Sequence, residues 1–216
     1  MASVARSQSP GSQSAEHVTV RGPRDERGVI AARILGAARA SFAQRGYAGT
    51  SLRAVARDAD VDPALVKYYF SDKAGLLDAA LVPPAAWVDL IAQGAASPLR
   101  SRGAAMVQTM LDSWADPQIA EFLRSAILVA AHEPIALQRF AGEFAVHVLA
   151  AVSAQLPDQE RLLRASLAST QMVGLAIMRY VWKVGAVAVL DDQRVVELVG
   201  PTIQRYLSGK LPPAAG

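Results

Sequence analysis

Residues 52–70, LRAVARDADVDPALVKYYF, decide the reading of this chain. Two apolar-periodic stretches of about seven residues flank a short turn, and Asp62-Pro63 opens the second. An Asp N-cap followed by Pro at the first helical position is a strong helix start. The stretch therefore predicts two short helices joined by a tight turn, which is helix-turn-helix spacing. Working outward, Thr50 or Ser51 caps the first of these helices, which ends near Asp58. Ser71-Asp72 caps a further helix running to about Leu81, where Pro83-Pro84 breaks it. Upstream, Ile30, Ile34, Leu35, Ala38 and Phe42 recur at helical spacing over residues 27–45, and Gly46-Tyr47 ends that helix. Val55, Ala59, Val61 and Val66 can pack against Ile34, Leu35 and Phe42, with Ala56 small where the helices approach. That geometry leaves Pro63, Ala64, Lys67 and Tyr68 facing outward on a helix too short to be stable alone.

A short exposed helix ending in Lys-Tyr-Tyr suits the major groove of DNA, which admits an α-helix. Polar groups fall where phosphates would run. Thr50 and Ser51 lie at a helix N-terminus, where free N–H groups favour anions. Arg53 sits one turn in, Tyr68 and Tyr69 carry hydroxyls, and Lys73 opens the next helix. The pattern alone leaves a second reading open: Tyr68, Tyr69 and Phe70 as core aromatics, and the charges as a solvated face.

Charge sharpens the choice. The chain has 216 residues, 22 Lys+Arg and 19 Asp+Glu, a net +3. Residues 1–26 carry three of each sign and residues 81–216 eleven of each, so the excess lies wholly in residues 27–80, with eight basic and five acidic groups. The absence of Cys excludes a disulfide scaffold, a thiolate zinc site and a Cys nucleophile. The longest stretches without Asp, Glu, Lys or Arg, Phe144–Pro157 and Ala165–Met178, are 14 residues each. A membrane span needs roughly 20 apolar residues, so these read as buried core helices. With no apolar signal-peptide core near the N-terminus, a soluble cytoplasmic protein is expected. Alanine, the best helix former, occurs 42 times. Period-2 β-branched runs are missing, and the nearest, Val184–Leu190, contains Gly185. The fold class expected is all-α.

Residues 1–26 are polar, with Pro and Gly and no helical stripe, and are expected to be disordered. Beyond residue 81, Pro and Gly delimit longer amphipathic helices at about 85–95, 99–114, 117–132, 134–155, 158–183 and 192–208. The organisation expected is a basic helical domain at 27–80, a larger charge-neutral domain at 81–208 and a flexible tail at 209–216.

Residues 30–80 resemble the DNA-binding domain of the TetR family of transcriptional regulators. The resemblance rests on Ile34-Leu35, Ala37-Ala38, Phe42-Ala43, Gly46-Tyr47, Thr50-Ser51, Val55-Ala56, Ala59, Val61, Pro63 to Val66, Tyr69-Phe70, Lys73 and Leu76-Leu77. It implies that Thr50, Tyr68, Tyr69 and Lys73 touch phosphates and that Arg53, Pro63, Ala64 and Lys67 lie near base edges. Two positions depart from the family pattern. Asp60 stands where Gly is common in the turn, and Lys67 where an aromatic or Arg is frequent. Asp tolerates the left-handed conformation better than most residues with a Cβ.

The resemblance further implies a homodimer built on the last two long helices and a small molecule bound inside the second domain. Leu163, Leu167, Gly174, Ile177 and Val181, with Val195, Val199, Ile203 and Tyr206, form the candidate dimer stripes, widened by Leu198 and Leu207; internal packing is the alternative. Candidate cavity residues are Trp87, Met106, Met110, Trp114, Phe122, Phe144, Met172 and Trp182, though aromatics and Met at helical spacing also build ordinary cores. The run QMVGLAIMRY (171–180), continuing into GPTIQRYL, resembles the C-terminal domain of an actinobacterial branch of the family. Arg179 on that apolar helix would meet either an acidic ligand or, more simply, an acidic side chain. Glu143 and His147 share a helix face, but no second pair completes a metal site. No nucleophile–base motif is present, and no cofactor or membrane partner is expected. The reading is a ligand-released repressor on a palindromic operator. A non-regulatory nucleoid-associated DNA binder is the alternative, and a helical enzyme a remoter one.

Overall fold

Proline at the first helical position and acidic residues in the first turn both favour a helix start, and Pro23-Arg24-Asp25-Glu26 supplies them. In the computed structural model, which describes residues 23–157 and 160–212, helix α1 accordingly spans Pro23–Gly49 instead of beginning at Arg27. Residues 1–22, and the end of the tail at 213–216, lie outside the described residues. Gly46 interrupts α1 at φ 68° and ψ 179°, a conformation open to glycine at little cost, so the chain turns at the Gly46-Tyr47 pair.

Helices α2 (Leu52–Asp58), α3 (Pro63–Phe70) and α4 (Lys73–Leu81) follow, each started by a side-chain cap. Ser51 accepts from the Ala54 amide at 3.2 Å, Asp62 from Ala64 at 2.7 Å and Asp72 from Gly75 at 2.8 Å. Asp60 takes the left-handed turn at φ 52°, and its carbonyl accepts from Arg33 at 2.9 Å. Ile34, Phe42, Val55, Ala56, Val66 and Leu76 close a filled core.

The second region holds α5 (Ala85–Ala96), α6 (Arg102–Ala115), α7 (Pro117–His132), α8 (Pro134–Phe144), α9 (Ala150–Ala154), α10 (Arg161–Ala176) and α11 (Asp192–Ser208). A 3₁₀ turn at Leu99–Ser101 leads into α6. The expected helix at 134–155 is split by a π-helical turn at Ala145–Leu149, and the one at 158–183 begins at Arg161 and widens into a second π turn at Ile177–Val181. Such turns concentrate at functional sites. Val184–Leu190 holds only a 3₁₀ turn, and no strand occurs among the described residues.

Two helical stretches, Lys73–Ala96 and Pro134–Ala154, are long and apolar enough to cross a membrane by length and composition. Pro83-Pro84 separates α4 from α5 within the first. The second is a wall and not the buried core helix expected around residues 144–157: Val146 is 66% exposed while Val148 and Val152 face inward.

Helix α11 packs chiefly on α6 through a glycine crossing. A Cβ on Gly103 would stand 2.5 Å from the Gly200 carbonyl oxygen and 2.6 Å from the Gln204 nitrogen. Gln204 seals the crossing by accepting from the Gly103 amide at 2.8 Å and donating to the Leu99 carbonyl at 2.7 Å. Val195 and Ile203 are buried in the core of the single chain, which removes them from the expected dimer stripe. Helices α10 and α11 run antiparallel, pinned at both ends. Arg164 donates to the carbonyls of Tyr206 and Gly209, both at 2.9 Å, and Arg179 pairs with Asp192 at 2.7 Å.

Candidate DNA-facing surface and internal cavity

The caps fix where α3 begins, and its burial pattern fixes how it turns. Val66 is fully buried, Leu65, Tyr69 and Phe70 are half-buried, and Pro63, Ala64, Lys67 and Tyr68 are exposed. Tyr68, 73% exposed, stands edge-on to Tyr69 with ring centroids 5.3 Å apart, and Tyr69 packs on Phe70. Tyr68 thus stands on the surface, whereas Tyr69 is anchored by packing. Ser51 and Arg53 are exposed at the start of α2.

Thr50 and Lys73 are placed otherwise than their expected phosphate-contacting role. Thr50 is 2% exposed; its hydroxyl donates to the Gly46 carbonyl at 2.8 Å and pairs with the Ser41 hydroxyl at 3.0 Å. The Lys73 ammonium donates to the carbonyls of Tyr47 at 2.8 Å and Thr50 at 3.0 Å, and lies 4.4 Å from the Tyr47 ring centroid. Both tie the α1–α2 turn together, because an ammonium beside free helix-end carbonyls satisfies groups that would otherwise lack partners. Asp58 is neutralised on the same surface by Arg45 at 2.7 Å and Arg57 at 3.0 Å. These hydrogen bonds, Arg45 first, hold its carboxyl below its ordinary value.

Sequence reasoning missed the groups that join the two regions. Glu133, at the α7–α8 junction, accepts from the Tyr47 amide at 2.7 Å. A Cβ on Gly46 would stand 3.0 Å from the same carboxylate. Arg39 donates to the Ala80 carbonyl at 3.0 Å and lies over the Phe122 ring, and burial lowers its pKa against the opposing pull of Glu121. Arg139 of α8 pairs with Asp78 of α4 at 2.8 Å. All three lie far from their partners in sequence, and spacing carries no signal for such pairs.

Between α5, α6, α7, α8, α9 and α10 lies a cavity of about 440 Å³, within the range that holds a drug-sized molecule. Trp87, Met106, Met110, Trp114, Phe144 and Met172 line it, as the candidate set has them. Three candidates do not. Phe122 is buried core, tilted on Trp87 at 5.8 Å. Trp182 is 65% exposed. Arg179 spends its guanidinium on Asp192 and the Val187 carbonyl, each at 2.7 Å, the outcome expected for an arginine near an acidic side chain. The lining also holds Thr109, Ser113 and Ser169, which apolar periodicity passes over; Ser169, within the uncharged run 165–178, was the signal available.

The candidate dimer residues divide as well. Leu163 and Gly174 are exposed, Leu167, Ile177, Val181, Val199 and Tyr206 are half-buried, and Leu198 is 50% exposed. His147 meets Glu143 at 3.2 Å, and among the described residues no group of three metal-ligating side chains occurs.

Two family models match the chain: bacterial regulatory proteins of the tetR family over residues 34–80, and the tetracyclin repressor-like C-terminal domain over residues 101–207. A TetR-family regulator of known structure from Streptomyces coelicolor is 30% identical, with a TM-score of 0.61, over 87% of this chain and 98% of that one. The multidrug binding protein EbrR, solved with ethidium, is 24% identical with a TM-score of 0.55 over 83% of this chain and 99% of that one, a likeness of fold. The probable HTH-type transcriptional regulator YttP of Bacillus subtilis is 49% identical over 37 residues. That match spans 17% of this chain and 18% of the relative. The proteins matched are described as regulators and binding proteins, not enzymes.

Proposed function

Because this chain belongs to the TetR family of transcriptional regulators, we propose that it is a repressor. In this reading it binds a palindromic operator as a cytoplasmic homodimer and leaves it when a small molecule fills the cavity. The observation that carries the proposal is the outward face of α3, where Pro63, Ala64, Lys67 and Tyr68 stand exposed on a helix fixed by the Asp62 cap. Pro63, Ala64, Lys67 and Arg53 meet base edges, and Ser51, Tyr68 and the anchored Tyr69 meet phosphates. Thr50 and Lys73 act through the turn they hold.

Dimerisation follows from what α10 and α11 leave uncovered. Leu162, Leu163 and Leu198 are half or more exposed on a hairpin pinned at both ends. Apolar surface of this kind marks an interaction site, and two recognition helices about 34 Å apart reach successive major grooves. The seam uses Leu163, Leu167, Gly174, Ile177, Val181, Val199 and Tyr206.

The test is duplex selection from a random pool, followed by mobility shift on the enriched site across a salt series. A palindromic site bound by a dimer, with affinity falling steeply as salt rises, is the expected result. Binding that is equal on selected and random duplexes would replace the repressor by a nucleoid-associated protein, and a monomer by size-exclusion chromatography at micromolar concentration would end the dimer.

A further inference from the structure

We propose that the cavity takes an uncharged, ring-bearing molecule whose single polar group, a hydroxyl or carbonyl, hydrogen-bonds to Ser169. The proposal rests on the cavity being the effector site and goes further, to the chemical class of the effector. Among the described residues, no Asp, Glu, Lys, Arg or His lines the cavity. Nearby ionic groups are committed elsewhere, Arg179 to Asp192, Glu143 to His147, and Arg102 to the carbonyls of Ser97 and Gln155, while Arg124 lies over the Trp114 ring at 5.8 Å without lining the cavity. A charged ligand would lose its hydration and gain no counter-charge, so this wall selects against it.

Three lining residues carry hydroxyls, and they differ in what is left to offer. Ser113 donates to the Thr109 carbonyl at 2.6 Å. The Thr109 hydroxyl is wedged against α5, where a Cβ on Gly94 would overlap it. Ser169 is 4% exposed, and its Oγ has no hydrogen-bond partner. Buried hydroxyls are normally satisfied, and an exception calls for an explanation. Here the unsatisfied Oγ belongs to a residue that lines this hollow and also borders the recess beside Thr170 and Ile177. A ligand oxygen would supply the missing partner.

The rest of the wall favours rings. Trp114 is held flat on Tyr180, with centroids 4.8 Å apart and planes 4° apart, and Trp87 is braced by Phe122. Met106, Met110 and Met172 supply adaptable surface between these rigid aromatics.

Calorimetric titration of the full chain, without DNA, with 4-phenylphenol, biphenyl and ethidium tests this, with quenching of Trp87 and Trp114 as a second readout. The two uncharged probes should bind saturably and ethidium should not. S169A should weaken the phenol roughly tenfold, the scale of one buried hydrogen bond, and biphenyl by less than about twofold, whereas S169T keeps the phenol within about threefold. Ethidium binding as tightly as the phenol, no saturable binding of either uncharged probe, or equal weakening of both by S169A would overturn the proposal. The wild-type arms hold even if S169A folds poorly. A separate mobility shift on the selected operator keeps the two readings apart, since a phenol that binds through Ser169 without releasing DNA supports the ligand class and refutes ligand-driven release.

Discussion

The two halves of this molecule are built on opposite principles. In α1–α4, one long helix and three short ones with side-chain caps close on a core with Ile34, Val55, Val66 and Leu76 fully buried. In α5–α11, the helices meet over a hollow and leave leucines in water. A DNA-binding domain must hold one shape to place its helix in a groove, whereas the proposed effector site depends on room left between its helices. The π turns at 145–149 and 177–181 occur only in the second half among the described residues.

The largest expected effect tests that contrast directly. Phe42→Ala, in the filled core, should cost about 3–5 kcal/mol, the usual range for a buried phenylalanine. Phe144→Ala, at the half-buried cavity wall, should cost about 1 kcal/mol, because much of its face already lacks partners. Chemical denaturation of both variants gives the comparison, and equal losses would mean that the second half is packed as tightly as the first.

Next in size is Lys73→Ala. Its ammonium satisfies the Tyr47 and Thr50 carbonyls, so removal should destabilise the first half by about 2 kcal/mol. The salt dependence of DNA binding should stay unchanged. A slope lower by about one would assign Lys73 to a phosphate instead. Asp62→Ala should cost about 1 kcal/mol through loss of the α3 cap and weaken operator binding, with glycine at the same position milder. Helicity and anisotropy measured on one preparation separate the two losses.

The smallest effect concerns pH. Arg45 and Arg57 hold the Asp58 carboxyl below its ordinary value, so the folded state binds this proton less readily than the unfolded chain does. The stabilisation is present above the unfolded carboxyl's titration near pH 4 and is lost as pH falls through the lower folded value. Denaturation midpoints between about pH 2 and 5 should show a small acid-side loss that Asp58→Asn abolishes.

The first half was legible because its signals are local. Ser51, Asp62 and Asp72 each lie within three residues of the amide they cap, and Pro63 sits at the helix start. The early start of α1 at Pro23 followed the same chemistry, outweighed in the sequence by the polar composition around it. The second half was legible as helices and hardly as a site. Hydrophobic spacing could not separate Phe122 in the core from Phe144 on the cavity, since both satisfy the same period. It also placed Val195 and Ile203 on a dimer stripe that the glycine crossing of α6 and α11 turns inward.

Residue order alone sets the helical class, the helix-turn-helix, the outward side chains of α3 and the confinement of the +3 charge to residues 27–80. Each follows from contacts within a few residues or from composition. The inward turn of Lys73 and Thr50, the ties from Glu133 and Arg139 to the first region, and the unsatisfied Ser169 at an uncharged hollow arise only once the helices pack. Those outcomes depend on which distant surfaces meet, and on which partner atoms each polar group finds once they do.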